Sequence, residues 1–251
     1  MDTVVVICGP TATGKTKIAL QLAKEFNGEL ISADSRQVYI GNDLETGKDK
    51  DLIGDSKIWL LDLIQSGEEF SVSTWRRLAH EAIKDILARD KLPIVVGGSG
   101  LYIKALVQEL SDVDAPRDIK LRNSNKSANE LFDQLKQLDP KKAESLNNSD
   151  KNNPRRLVRA IEIAKQGSKA QRFKGSKQFS FIQIGLISSK EELIKRIKAR
   201  VVQRGLDESF VQKEINIMKK QLVWFKKQSS ITWFDIIDPL CYAKLKSLIK
   251  P

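Results

Sequence analysis

Residues Gly9 to Thr16 have the types and the spacing that hold a polyphosphate. The stretch reads GPTATGKT and fits the pattern G-x-x-x-x-G-K-[ST], in which the glycines let successive backbone N–H groups turn towards one anion. Lys15 adds a full positive charge, and the Thr16 hydroxyl is suited to Mg²⁺. We therefore predict that a diphosphate or triphosphate binds to this phosphate loop, at Gly9, Thr11, Ala12, Thr13, Gly14, Lys15 and Thr16. The pattern does not identify the molecule that carries the phosphates.

The flanking residues predict the strand and the helix that a phosphate loop requires. Val4 to Ile7 is an apolar, β-branched run, as in a strand buried on both faces of a parallel sheet. Further runs predict strands at 30–33, 58–63, 92–96 and 179–187. After the loop, apolar residues recur at helical spacing, at Ile18, Ala19, Leu22, Ala23 and Phe26. We predict an α/β fold, with a P-loop NTPase-like parallel sheet flanked by helices and a small helical insertion.

The insertion is predicted at residues 111–150. This stretch is polar, rich in asparagine and helical in pattern, until Asp139-Pro140 ends the run. We therefore predict that residues 1–110 and 151–251 form the α/β core with basic C-terminal helices. The insertion itself is interpreted as a lid or as a surface that faces a ligand.

Asp34 follows the predicted strand at 30–33 and is a candidate for acid–base chemistry. Ligands bind at the carboxyl edge of the strands in open α/β sheets, so Asp34 and the phosphate loop are predicted to face one crevice. A carboxylate there could hold Mg²⁺ or accept a proton. The alternative is an aspartate whose side chain only caps the following turn.

The net charge of +11 is concentrated in one third of the chain. Residues 151–227 contain 20 Lys and Arg against 6 Asp and Glu. Such a block beside a phosphate loop indicates a large polyanionic partner, first of all a nucleic acid, although a solubilising surface has the same composition. One predicted helix carries Arg196, Arg200 and Arg204 at four-residue spacing. These arginines either point into a cleft or form a solvated face.

Neither the apolar runs nor the cysteines indicate a membrane or secreted protein. No apolar run reaches membrane-spanning length. Cys8 and Cys241 are interpreted as reduced apolar residues, not as a disulfide or a metal pair. We expect a cytoplasmic protein.

Taken together, several stretches resemble the tRNA dimethylallyltransferase family. In family order they are GPTATGKT (9–16), ISADSRQVY (31–39), EEFSV (68–72), LPIVVGGSGLYIKAL (92–106), RRLVRAIEI (155–163), LIKRIKAR (193–200) and KKQLVWFKK (219–227) followed by WFD. They cover most of the chain apart from the insertion and the tail. The D-S-x-Q-x-Y and G-G-S-G-L-Y boxes are far more specific than the phosphate loop.

The resemblance implies a reaction and a role for each matching residue. Members of the family transfer a dimethylallyl group from its diphosphate to the exocyclic amine of the adenosine just 3′ of the tRNA anticodon, with Mg²⁺. By analogy, the phosphate loop would hold the prenyl diphosphate, Asp34 would accept the amine proton, Arg200 would lie near the diphosphate, and Thr16 would serve catalysis and bind Mg²⁺. Contacts to the anticodon stem-loop are implied for Asp34, Ser35, Arg36, Gln37, Ser99, Arg122, Arg155, Arg156 and Arg159. We further expect a monomer.

The chain departs from the family pattern in one region. Most members have a longer segment, with tRNA contacts, between Gly205 and Gln221, where this chain has only residues 207–218. The zinc finger of many eukaryotic members is absent, so we expect a bacterial-type form.

Two other functions fit part of the sequence. A phosphate-loop kinase with Asp34 as the base for a hydroxyl explains the loop, but leaves the basic block and the G-G-S-G-L-Y box unexplained. A truncated RNA-binding paralogue without catalysis explains the basic block alone.

Overall fold

A computed structural model describes residues 2–41, 43–48, 50–54, 56–108, 112–113, 115–167, 172–173 and 179–249. Its strands are β1 (Asp2–Cys8), β2 (Gly28–Ser32), β3 (Ile58–Trp59), β4 (Leu92–Gly97), β5 (Asp112–Val113), β6 (Arg172–Phe173), β7 (Phe179–Ile187) and β8 (Thr232–Asp235). Its helices are α1 (Lys15–Glu25), α2 (Asp43–Thr46), α3 (Lys50–Ile53), α4 (Val72–Ala88), α5 (Gly100–Val107), α6 (Ile119–Arg122), α7 (Ala128–Leu138), α8 (Pro140–Ser145), α9 (Asn148–Lys151), α10 (Pro154–Gln166), α11 (Lys190–Gln203), α12 (Ser209–Phe225) and α13 (Cys241–Ser247). The chain divides into an α/β unit, Met1–Gln108 with Ser176–Pro251, and a helical unit, Glu109–Gly175.

The α/β unit is built on a six-stranded sheet in the order β3-β2-β4-β1-β7-β8, with every neighbouring pair parallel. The predicted α/β fold is thereby confirmed. Alternate residues of β1 pack into two different cores: Val4 lies in a cluster with Trp75 of α4, and Val5 lies in a cluster with Leu22 of α1. Because both faces of β1 are buried, its sequence is continuously apolar instead of alternating.

The parallel strands bring three loops to one edge of the sheet. The phosphate loop follows β1, Asp34 lies just beyond β2, and Gly98 and Ser99 follow β4. The last two loops touch, since the backbone N–H of Ser99 donates to the carbonyl of Ala33 at 3.0 Å. A Cβ on Gly97 would lie 2.2 Å from that same carbonyl oxygen, so only glycine fits between the two loops.

The strand predicted for residues 58–63 is shorter in the structure. Only Ile58 and Trp59 form β3, because Leu60 and Asp62 adopt φ values of 63° and 53°, which no strand accommodates. Asp62 instead forms an ion pair with the buried side chain of Lys48. That amine also donates to the carbonyls of Tyr39 at 2.6 Å and Gly41 at 2.7 Å, and so fixes the segment beside the site.

The helical unit has its own apolar core. Leu131 and Leu135 of α7 pack in one cluster with Leu157 and Ile161 of α10. The predicted insertion of 111–150 is therefore too short at its C-terminal end, since the helical unit extends to Gly175. The physical reason is that the apolar face of α10 is buried against α7 and so belongs to this unit. Its predicted N-terminal boundary, at 110/111, lies outside the described residues.

Candidate functional site

The phosphate loop has three residues with positive φ, two of them glycines. Gly9 has φ 135°, and a Cβ there would lie 2.3 Å from the carbonyl oxygen of Leu186 in β7. Gly14 precedes α1 with φ 75°, and Ala12 is held at φ 66°, a conformation that is uncommon for a side chain with a Cβ. The loop thus presents the N-terminus of an eleven-residue helix, with its unpaired N–H groups, to the edge of the sheet.

Lys15 is held over the phosphate loop with an unusually acidic ammonium group. Its Nζ donates to the carbonyl of Pro10 at 2.6 Å. Burial first, and repulsion from Arg200 second, lower the pKa of Lys15 from 10.5 to about 8. An anion bound here would reverse the second effect, so the site favours a negatively charged ligand.

Lys15 and Asp34 line the same cavity, of about 360 Å³. Thr16 and Arg200 line it as well, so the prediction that Asp34 and the phosphate loop share one crevice is confirmed. The Asp34 Oδ1 accepts from the backbone N–H of Arg36 at 2.9 Å, which is the capping contact of the alternative interpretation. The capping interpretation is therefore confirmed, and the role of Asp34 as a base or a metal ligand stays a prediction. Burial raises the pKa of Asp34 above its usual value.

Not every residue of the predicted phosphate-binding set faces the cavity. Thr11, Ala12, Gly14, Lys15 and Thr16 line it, whereas Gly9 and Thr13 do not. Thr13 is only 2% exposed and donates its hydroxyl to the carbonyl of Pro10 at 3.0 Å. Gly9 and Thr13 therefore shape the loop from behind, and a ligand in the cavity would not reach the Thr13 side chain.

Arg200 reaches the phosphate loop from α11. Its Nη2 donates to the Thr11 hydroxyl at 2.6 Å and to the carboxylate of Glu214 in α12. Thr11 in turn donates its hydroxyl to the same carboxylate at 3.1 Å. Arg196 also lines the cavity, so of the two interpretations of the arginine stripe the cleft is correct for Arg196 and Arg200.

Gln221, which also lies on α12, is a second residue that hydrogen-bonds to the phosphate loop. Its Oε1 accepts from the backbone N–H of Thr11 at 2.7 Å, and its Nε2 donates to the carbonyl of Gly98 at 3.1 Å. Gln221 thus bridges the loops that follow β1 and β4.

A smaller cavity of about 220 Å³ adjoins the same residues. Asp34, Ser35, Arg36 and Ser99 line it, so four of the predicted RNA contacts are brought together. Ser99 accepts from the backbone N–H of Ser35 at 2.8 Å. Gln37 lines the larger cavity instead and donates to the carbonyls of Thr46 and Gly47, each at 3.2 Å.

The other four predicted RNA contacts lie in the helical unit. Arg122 donates through two nitrogens to the buried carboxylate of Glu162, at 2.7 and 2.9 Å, and Arg159 donates to it at 3.1 Å. Burial alone would raise the pKa of Glu162, but these bonds and the backbone N–H of Asp118 outweigh it and hold the pKa at about 2. Arg155 and Arg156 are exposed, and Arg156 pairs with Asp150.

The donor set of the larger cavity suits Mg²⁺ in part. A hydroxyl from Thr16 and a carboxylate from Asp34 are oxygen ligands of the kind that Mg²⁺ takes, usually with substrate phosphates and water completing its shell. Among the described residues, no group of three or more His, Cys, Asp or Glu is placed to hold a metal ion by itself. A divalent ion here would therefore depend on the oxygens of a bound diphosphate.

Sequence reasoning missed Glu214, Gln221 and Glu162. Glu214 and Gln221 lie seven residues apart, which places them on one face of a helix, and this spacing was the available signal. Glu162 gave no signal beyond its position three residues after Arg159, a helical neighbour. Within the described part of the chain, no helix combines the length and the apolar character needed to cross a bilayer.

Comparisons with known proteins agree on one family. The family model described as IPP transferase matches residues 37–212. The tRNA dimethylallyltransferase of Anoxybacillus flavithermus is 35% identical over 293 aligned positions, which cover 97% of this chain and 93% of that protein. Because the alignment is longer than the 251-residue chain, part of that relative has no counterpart here.

Solved structures give the same result. The full-length tRNA isopentenylpyrophosphate transferase of Bacillus halodurans superposes with a TM-score of 0.67 at 30% identity, over 99% of this chain and 94% of that one. A eukaryotic dimethylallyltransferase acting on tRNA superposes with a TM-score of 0.80 over 99% of this chain and 77% of that one, and at 22% identity it supports the fold alone.

Proposed function

We propose that this chain, which belongs to the IPP transferase family, is a tRNA dimethylallyltransferase. It transfers a dimethylallyl group from dimethylallyl diphosphate to the N6 amine of adenosine-37, the nucleotide 3′ of the tRNA anticodon, and releases diphosphate. The observation that carries the proposal is the shared cavity, in which the half-buried carboxylate of Asp34 lines the same space as Lys15, Arg200 and the phosphate loop.

The anion site is suited to a diphosphate leaving group. The N-terminus of α1, the ammonium of Lys15 and the guanidinium of Arg200 converge on one cavity and stabilise negative charge where it develops. Thr16, together with the diphosphate oxygens, would hold Mg²⁺, which when bound neutralises part of the charge on the leaving group.

Asp34 serves as the general base. The adenine nitrogen forms a bond to the allylic carbon while the bond from that carbon to the diphosphate oxygen breaks, and its electron pair leaves with the diphosphate. The amine proton passes to Asp34. Because burial raises the pKa of Asp34, its carboxylate is a stronger base than an exposed aspartate would be.

The smaller cavity is the place for the acceptor base. Its volume of about 220 Å³ accommodates one purine, and Ser35, Arg36 and Ser99 supply polar contacts at its walls. An adenosine in the anticodon loop has to leave its stack to enter such a cavity, which proteins commonly achieve with unpaired RNA. Arg122, Arg155, Arg156 and Arg159 are assigned to the phosphates of the stem-loop.

We place this activity in the cytoplasm, together with its tRNA substrate, and propose a monomer as the active form. The small-molecule kinase alternative leaves the family match at residues 37–212 unexplained.

Transfer of label is the direct test of this function. The protein is incubated with an anticodon stem-loop and radiolabelled dimethylallyl diphosphate, with Mg²⁺, and label in the RNA is measured. We expect transfer to a loop with adenosine at position 37 and none to a matched loop with guanosine, which lacks the N6 amine. Intact RNA binding without transfer would favour the non-catalytic paralogue, and turnover of the ATP γ-phosphate would favour a kinase.

A further inference from the structure

The helix α12 contacts the phosphate loop with two side chains from one face. Glu214 reaches the Thr11 hydroxyl and the Arg200 guanidinium, and Gln221, two helical turns later, takes the backbone N–H of Thr11. Thr11 is therefore fixed through both its side chain and its backbone. Arg200 and Glu214 lie on consecutive helices, joined by the short connection 204–208.

Glu214 is a buried carboxylate with two hydrogen-bond partners at one of its oxygens. The residue is 8% exposed, and its Oε2 accepts from both Thr11 and Arg200. Its other oxygen lies 3.9 Å from a guanidinium nitrogen of Arg36, on the side of the predicted acceptor base. One carboxylate thus bonds to Arg200 and forms a longer ion pair with Arg36.

Resting on the function proposed above, the geometry points to Glu214 and Gln221 as positioning residues that hold Arg200 and Thr11 in place for the transfer step. Glu214 lines the smaller cavity and not the larger one that contains Lys15 and Thr16. It therefore holds Arg200 from behind and leaves the anion site to the substrate.

The physical reason lies in the leaving group. Negative charge on the diphosphate grows as the carbon–oxygen bond breaks, so an arginine fixed in advance stabilises the transition state more than the ground state. Arg200 has a long, flexible side chain whose freedom is lost in this position. A carboxylate that holds it before the substrate binds removes the need to order it during the reaction.

The first test is Glu214→Gln, which keeps the size of the side chain and removes its charge. We expect kcat to fall about 10-fold to 100-fold, while the KM for dimethylallyl diphosphate and the Kd of inorganic pyrophosphate change less than about threefold. Glu208→Gln, an exposed change next to the same helix, is the matched control and should leave all three constants unchanged. Glu214→Asp should restore part of kcat.

A double-mutant cycle separates positioning from a general loss of structure. If Glu214 acts through Arg200, then Glu214→Gln should have no further effect on kcat once Arg200→Ala is present. Additive losses would overturn the proposal, as would a kcat within twofold of the wild type. Tighter pyrophosphate binding with unchanged kcat would also overturn it, because Glu214 would then be a competing anion.

If the Glu214 variants are unfolded at the assay temperature, Gln221→Ala provides the test instead. It should lower kcat at least 10-fold with a similar KM, whereas Gln212→Ala, an exposed glutamine on the same helix, should not. An unchanged kcat for Gln221→Ala would contradict the proposal. Failure of the proposed function itself would be recognised separately, as absence of transfer by the wild-type protein.

Discussion

Arginines are held by a glutamate in each of the two units, but in different ways. In the α/β unit, Arg200 is 23% exposed and shares Glu214 with the hydroxyl of Thr11, at the wall of a cavity. In the helical unit, Arg122 and Arg159 are 35% and 39% exposed and rest on Glu162, whose side chain is completely buried.

The difference matches the size of the two proposed ligands. An arginine that is half-buried at a cavity wall suits a small anion, such as a diphosphate, and meets it with less water present than at an open surface. Arg122 and Arg159 bind a carboxylate that lies on their buried side. Their outer N–H groups therefore stay accessible to a polyanion that arrives from solvent. The α/β unit is therefore assigned to chemistry and the helical unit to RNA affinity, and the following experiments test that division.

The largest effect is expected for Asp34→Ala. Removal of the base should lower kcat by about 10²-fold to 10⁴-fold while the Kd of the stem-loop changes little, since the helical unit is unaltered. Transfer is followed with radiolabelled substrate and binding by fluorescence anisotropy. Asp34→Asn is the control for shape. A large loss of RNA affinity would show that Asp34 grips the RNA, and the division between the units would fail.

The next effect is a loss of stability in the helical unit. Glu162→Gln removes the charge that holds two arginines and should cost about 2 kcal/mol in the free energy of unfolding. The loss of stability is measured by amide hydrogen exchange of α10, with Glu144→Gln as an exposed control. Diphosphate binding in the α/β unit should not change. A weaker Kd for pyrophosphate in this variant would show that the two sites are not independent.

Low pH should protonate Glu162 and so remove the same stabilising charge. The folded pKa of Glu162 is about 2, below its usual 4.5. Its ionised form therefore stabilises the fold above pH 4.5, and this contribution is lost as the pH falls through about 2. Protection of α10 should decline across that range in the wild type and less steeply in Glu162→Gln.

A smaller effect concerns the pH dependence of the anion site. Lys15 has a pKa of about 8, so above that pH the free protein loses the charge that the diphosphate needs. Between about pH 7 and pH 9, the Kd of pyrophosphate should rise up to about tenfold more in the wild type than in Lys15→Arg, whose charge persists. Calorimetry measures the Kd of pyrophosphate for both proteins at each pH. The ionisation of pyrophosphate affects both proteins equally and so cancels in the comparison. Equal slopes would show that Lys15 stays protonated.

The smallest effect is expected at the surface of the helical unit. Arg156 is exposed and pairs with Asp150, so Arg156→Ala should weaken RNA binding modestly and lower the salt dependence, the slope of log K against log salt, by about one. Transfer at saturating RNA should be unchanged. Binding is measured by anisotropy between low and moderate salt, and an unaltered slope would remove Arg156 from the interface.

Much of the fold could be predicted because single residues carry strong local constraints. The continuous apolar run of β1 predicted a strand with both faces buried, and Asp139-Pro140 predicted the break between α7 and α8. The strand at 58–63 was overestimated, because positive φ values at Leu60 and Asp62 are imposed by contacts such as that with Lys48. The extent of the helical unit was underestimated for a similar reason, since the partner of α10 is set by packing.

The sequence alone determined that the phosphate loop, Lys15 and Asp34 lie close together, because residues at the carboxyl ends of buried parallel strands meet at one edge of the sheet. Only the tertiary structure decided which side chains hold those groups in position. Glu214 and Gln221 share one helix face, but they are more than 200 residues away from Thr11 along the chain, and no local pattern relates either of them to Thr11. Their role arises from the packing of α12 against the phosphate loop, a long-range contact that exists only once the sheet and its helices have assembled.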